Sequence, residues 1–253
     1  MIVRPPGPAR WATVAASSSR VTSSNGPYGK TPAFLTRTSS PPSSATVAST
    51  ATRSFDRAEA LRRAMEIFWE HGYEGTSIGD LTTAMGIRPP SLYAAFGSKE
   101  ALFREAVALY EGMEGEPLRA LHDAATAREG VEAMLRAHVR SYTVSGRPTG
   151  CMVVLAATTF TPSTAGIRDF LAEERRAGSA VVRERLARGQ VDGDVPPDAD
   201  TGALAAYVMS VQYGLSLQAR DGATRNELDT VVDCVLAGWD AVVAARVAGQ
   251  GTG

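Results

Sequence analysis

Residues 71–103 read HGYEGTSIGDLTTAMGIRPPSLYAAFGSKEALF, and the order of polar and apolar positions in this stretch decides the fold. Ser77, with Asp80 three residues later, has the pattern of a helix N-terminus, and Ile78, Leu81 and Met85 follow at helical spacing. Gly86 stands where a helix stops and turns sharply, with Ile87 tucked beneath it. Arg88-Pro89-Pro90 opens the next helix, because a proline in a first turn lacks only an N–H that has no partner there. Leu92 and Phe96, four apart, face inward and leave Ser91, Tyr93 and Ala94 facing out. Gly97 ends that helix. Ser98 caps a fourth that runs to about Glu114, with Leu102, Phe103, Ala106, Leu109, Tyr110 and Met113 as its apolar stripe.

One helix precedes this stretch, from about Asp56 to His71. Asp56 and Glu59 have capping-box spacing, Leu61, Met65, Phe68 and Trp69 form the apolar stripe, and Gly72 is placed to end the helix. Three short helices packed on the start of a long one, with glycine at the second turn, make a helix-turn-helix arrangement. The chain also divides by charge. Residues 1–53 hold six Lys or Arg, no Asp or Glu, and 25 Ser, Thr or Pro, whereas residues 54–253 hold 20 basic and 27 acidic side chains. The first segment is too poor in apolar residues to bury a core and is expected to be disordered. Its acid-free composition resembles a transit peptide, and it reads as a tail or an over-extended reading frame. Residues 24–31 (SNGPYGKT) nearly match a Walker A loop, but Ser24 replaces the first glycine and Pro32 stands where a helix should begin.

Residues 54–114, and above all His71–Ile78, Leu81–Ile87 and Ser91–Phe103, resemble the TetR/AcrR transcriptional regulators. The resemblance implies a homodimer that binds a palindromic operator in double-stranded DNA and leaves it when a small molecule enters the C-terminal domain. The expected architecture is all-α: a disordered tail over 1–53, a three-helix DNA-binding domain over 54–114 continuing through the long fourth helix, and a C-terminal helical ligand-binding and dimerisation domain over 115–253. Thr76 and Ser77, at the N-terminus of the second helix, suit a phosphate. Arg88, Pro90 and Ser91 begin the recognition helix, where side chains meet base edges. Tyr93 matches a family tyrosine that approaches a phosphate. Lys99, a cation in a helix's first turn, opposes the helix dipole, and a phosphate partner would explain it. Against these stands the balance of residues 54–114, six basic to ten acidic, although no acid lies between Asp80 and Glu100.

The remainder also reads as helices. Val131, Met134, Leu135, His138, Val139 and Tyr142 make one stripe, residues 150–160 are apolar, and residues 164–190 form a long amphipathic helix. The last two helices are expected over 201–219 and 224–247. The former is apolar nearly all round, too apolar for one core face, and suggests a four-helix bundle across a two-fold axis. Met134, His138, Tyr142, Cys151, Met152, Phe160 and Tyr213 are candidate linings of an effector cavity. Cys151 and Cys234 have no metal or disulfide spacing, and the three histidines form no zinc motif. No cofactor and no enzymatic activity is therefore expected. Residues 203–219, interrupted by Ser210, Gln212, Ser216 and Gln218, fall short of a membrane span, and a reduced, cytoplasmic protein is expected. The competing reading is a helical ligand-binding and dimerisation module that no longer binds DNA.

Overall fold

A computed structural model of the chain describes residues 55–244; the tail and the Walker-like segment expected within 1–53 lie outside them. The described residues are helical, without a strand. Helix α1 (Arg57–His71) starts on Asp56, whose carboxylate accepts the N–H groups of Ala58 and Glu59. The expected reciprocal bond from Glu59 does not form. Its carboxylate is held by Arg62 and Arg63, both at 2.8 Å, which outcompete a single backbone N–H. Helix α2 (Ile78–Met85) has the full capping box: Asp80 N–H donates to Ser77 Oγ and Ser77 N–H to Asp80 Oδ2. Gly86 adopts φ 66°, ψ 31°, and its N–H reaches the Thr82 and Thr83 carbonyls. Helix α3 (Pro89–Phe96) then begins with both prolines in its first turn and buries only Leu92 and Phe96.

Helix α4 (Lys99–Met113) buries Leu102, Phe103, Ala106, Val107 and Tyr110. Met113, expected inside, is 51% exposed, and Val107 fills the stripe instead. The core of this end is aromatic: Phe103 packs edge-on against Phe68 (5.0 Å) and Tyr73 (5.1 Å), worth about 0.5–1.5 kcal/mol per pair beyond simple burial.

The chain continues through α5 (Glu116–Asp123), a short helix not anticipated from sequence, and α6 (Ala127–Tyr142). Thr126 and Glu129 cap α6 reciprocally. The apolar stretch after Gly150 folds as the brief α7 (Met152–Leu155) and a three-ten turn (Pro162–Thr164), leading into the 28-residue α8 (Ala165–Asp192). Helix α9 (Thr201–Arg220) packs along α8 and α6. The expected last helix is broken. Helix α10 (Arg225–Ala237) stops at Gly238, and α11 (Trp239–Ala244) follows; glycine has little intrinsic preference for a helix, so an interruption there is cheap. Residues 245–247 of the expected helix lie outside those described. Among the described residues no helix is long and apolar enough to cross a membrane.

Candidate nucleic-acid interface

Helices α2 and α3 are joined through Gly86, and α1 holds the last turn of each. Arg63 Nη1 donates to the carbonyl of Ala84 in the last turn of α2 (3.2 Å). Arg57 Nη2 donates to the carbonyl of Ala95 in the last turn of α3 (3.3 Å), ion-pairs with Glu105 on α4 (2.8 Å) and lies 4.4 Å from the Phe96 ring centre. Carbonyls in a helix's last turn have no partner within the helix and carry its negative pole, so a guanidinium satisfies both at once. Sequence reading missed these braces because nothing local marks them.

Ion pairs engage four of the acids of α1 and α4, Glu59, Glu66, Glu100 and Glu105. Arg62 bridges Glu59 and Glu66, Arg63 binds Glu59, and Arg104 binds Glu100. The two arginines pull the Glu59 carboxyl down to about 2. Of the lysine and arginine side chains from Arg57 to Met113, only Arg88 and Lys99 are outside an ion pair. Arg88 is exposed at the start of α3, and its side chain has no hydrogen bond or ring contact among the described residues. Pro90 and Ala94 are exposed, Ser91 is half-buried, and Tyr93 stands 48% exposed without an aromatic partner. Pro90, Tyr93 and Ala94, three and four apart, share one side of the helix.

Two expected contacts do not present their side chains as the sequence suggested. Thr76 is 1% exposed and its hydroxyl donates to the Gly72 carbonyl (2.6 Å), so it locks the turn after α1 and offers no free hydroxyl. Lys99 is half-buried with Nζ 4.2 Å from the Tyr73 ring centre. Loss of solvent lowers its pKa, opposed by the carboxylates of Glu74 and Asp80. The cation in the first turn thus has an intramolecular reason that sequence could not show. Ser77 is exposed, with its hydroxyl engaged in the capping box. The capping box leaves the N–H groups of Ile78 and Gly79 as the unpartnered donors at this pole.

The candidate effector residues differ in exposure. Met134, Tyr142, Cys151 and Met152 are packed core, Tyr213 and His138 are half-buried, and Phe160 is 40% exposed beneath Arg168. None of them lines two surface grooves of about 410 and 380 Å3, one beside Thr149 and one beside Phe170. Two of the set, His138 and Tyr142, meet beside Gln212. His138 stacks on Tyr142 at 5.2 Å, and loss of solvent pushes its imidazole down to about 4. Gln212 Nε2 donates to the Tyr142 hydroxyl, while Gln212 Oε1 is buried without a partner.

The profile described as "Bacterial regulatory proteins, tetR family" matches residues 60–106, which span most of α1 through the first half of α4. The HTH-type transcriptional repressor ComR of Escherichia coli (strain K12) is 33% identical over 195 residues, covering 75% of this chain and 91% of that protein. The chain belongs to the TetR family. BdcR, another HTH-type transcriptional repressor of the same strain, is 31% identical over 70% of this chain and 85% of its own length. Among solved structures, a cysteine mutant of the TetR family regulator CifR, complexed with 26-base-pair double-strand operator DNA, shares 50% identity and a TM-score of 0.72. The match covers 74% of this chain and 98% of that one. The TetR family assignment and the all-helical fold with an N-terminal helix-turn-helix therefore agree.

Proposed function

We propose that this TetR family member is a homodimeric repressor whose two α2–Gly86–α3 units read a palindromic operator in double-stranded DNA. Residues 54–114 form the reading head, and the helices over 115–253 dimerise and answer a small-molecule effector. One observation carries the proposal: at the start of α3 an arginine is exposed and uncommitted, while the other arginines of α1 and α4 are all paired. Arg88, Pro90, Ser91 and Tyr93 are the proposed base and backbone contacts, with the free N–H groups of Ile78 and Gly79 beside Ser77 receiving a phosphate. Lys99 adds positive potential from its place over Tyr73. The operator complex of CifR, half identical in sequence, supports the DNA partner.

The proposed dimer interface runs through the last helices. No charged residue occurs between Thr201 and Ala219, and Leu217, on the outer side of α9, is 52% exposed. The proposed effector enters the C-terminal core near Tyr142, where the unpartnered Gln212 Oε1 would gain a hydrogen-bond donor. Selection of random duplexes with the purified protein tests the function. Two-fold related half-sites about one turn (~34 Å) apart are expected. Failure to enrich any duplex would favour the helical module without DNA binding.

A further inference from the structure

Helix α9 carries three polar side chains at successive four-residue steps, Gln212, Ser216 and Arg220, and each is bonded to a different element. Gln212 holds the Tyr142 hydroxyl on α6. Ser216, fully buried, accepts the N–H of Cys151 (2.8 Å) at the entry to α7. Arg220 crosses to the end of α1, donating from Nη2 to the Trp69 carbonyl (2.7 Å) and from Nη1 to the Glu70 carbonyl (3.0 Å), with the Glu70 carboxylate at 3.6 Å. A second bond ties the same places together: Trp69 Nε1 donates to the Gly150 carbonyl (3.1 Å). Gly150 has φ 74°, and a Cβ there would stand 2.6 Å from the Ser216 carbonyl, so the strand of chain before α7 is pressed onto α9 where only glycine fits.

The far end of α1 is the part that holds the reading head. Its Arg57 and Arg63 grip the last-turn carbonyls of α3 and α2. Helix α1 is therefore a rod held at its C-terminal end by α9 and holding both reading helices from its N-terminal half. Helices transmit displacement well along their axis because every turn is hydrogen-bonded to the next.

We infer that Arg220 is a positioning residue that couples the C-terminal core to the reading head, by fastening the Gln212–Ser216–Arg220 face of α9 to the terminal carbonyls of α1. The inference rests on the operator-binding reading for its functional consequence. Any change around Tyr142 that shifts α9 along its axis moves Arg220, and Arg220 moves α1. By reciprocity, operator binding must be felt at the Gly150–Met152 segment.

The test uses the full-length chain and a duplex enriched by selection, with amide hydrogen exchange and duplex affinity as readouts. In the wild type, duplex binding is expected to slow exchange at Gly72–Tyr73 and also at Gly150–Met152. In Arg220→Gln, affinity is expected to fall roughly 2- to 30-fold and the response at Gly150–Met152 to disappear. Arg220→Lys, with one ammonium for two carbonyls, should restore part of both, and Arg225→Gln, an exposed neighbour, should change neither. If Arg220→Gln does not fold, Ser216→Ala must weaken duplex binding and speed exchange at Gly72–Tyr73, remote from the lost hydroxyl. Folded variants that bind as tightly as the wild type and still transmit the response would overturn the coupling. If the wild type enriches no duplex, the operator reading fails by itself. The coupling then stands or falls on whether Arg220→Gln speeds exchange at Gly72–Tyr73 in the free protein.

Discussion

The side chains of Arg88 and Tyr93 are exposed and make no hydrogen bond, ion pair or ring contact among the described residues. Tyr93→Ala is expected to weaken duplex binding while helicity and thermal midpoint stay near the wild type, as read by fluorescence anisotropy and circular dichroism. Arg88→Ala should do the same and relax base preference at one operator position, since a bidentate arginine contact discriminates by about 1–3 kcal/mol. Lys99→Ala should behave differently: removing a cation from over the Tyr73 ring is expected to cost about 0.5–1 kcal/mol of stability as well as affinity. Thr76→Val preserves shape but removes the hydroxyl that donates to the half-buried Gly72 carbonyl. A loss of about 1–3 kcal/mol in denaturant unfolding is expected. A Thr76→Val protein of unchanged stability that lost DNA binding would return the hydroxyl to the interface.

At the scale of elements, α4 and α8 meet through two carboxyl groups. Burial and the neighbouring Glu174 carboxylate push Glu111 from 4.5 up to about 7, and Glu174 is raised too, chiefly by burial. A carboxyl whose folded pKa is raised favours the folded state when protonated, so its contribution is full below about 4.5 and is lost as pH rises through about 7. Glu111→Gln, neutral at every pH, should therefore melt above the wild type at pH 8 and close to it at pH 4.5. A difference that does not shrink on acidification would show that the two carboxyls do not share this environment. The coupling of α9 to α1 through Arg220 belongs to the same scale, since it concerns how one helix end carries another.

At the scale of the whole molecule, dimerisation and DNA binding should fail together if half-site spacing is set by the pair. Leu217→Arg, placing a charge on the outer side of α9, is expected to yield a monomer by sedimentation and to abolish selective duplex binding without unfolding the chain. Salt dependence reports the electrostatic footprint. With Arg88 and Lys99 as the unpaired cations of each described reading head, those heads should contribute a slope in log affinity against log salt of about −4 per dimer. Residues 1–53 add six basic side chains and no acids, so a protein beginning at residue 54 should show a shallower slope than the full chain.

By itself the sequence determined the helix-turn-helix: the Ser77–Asp80 capping box, the left-handed Gly86, the prolines opening α3 and the inward pair Leu92 and Phe96. Each of these is set by residues within four positions of one another, and the signal is complete in a short window. Tertiary structure alone decided what the remaining polar groups do. Thr76 turned inward and Lys99 found Tyr73. Arg220 reached α1 across 150 residues of chain. Partners so distant leave no periodic trace, because which groups meet depends on how whole helices pack.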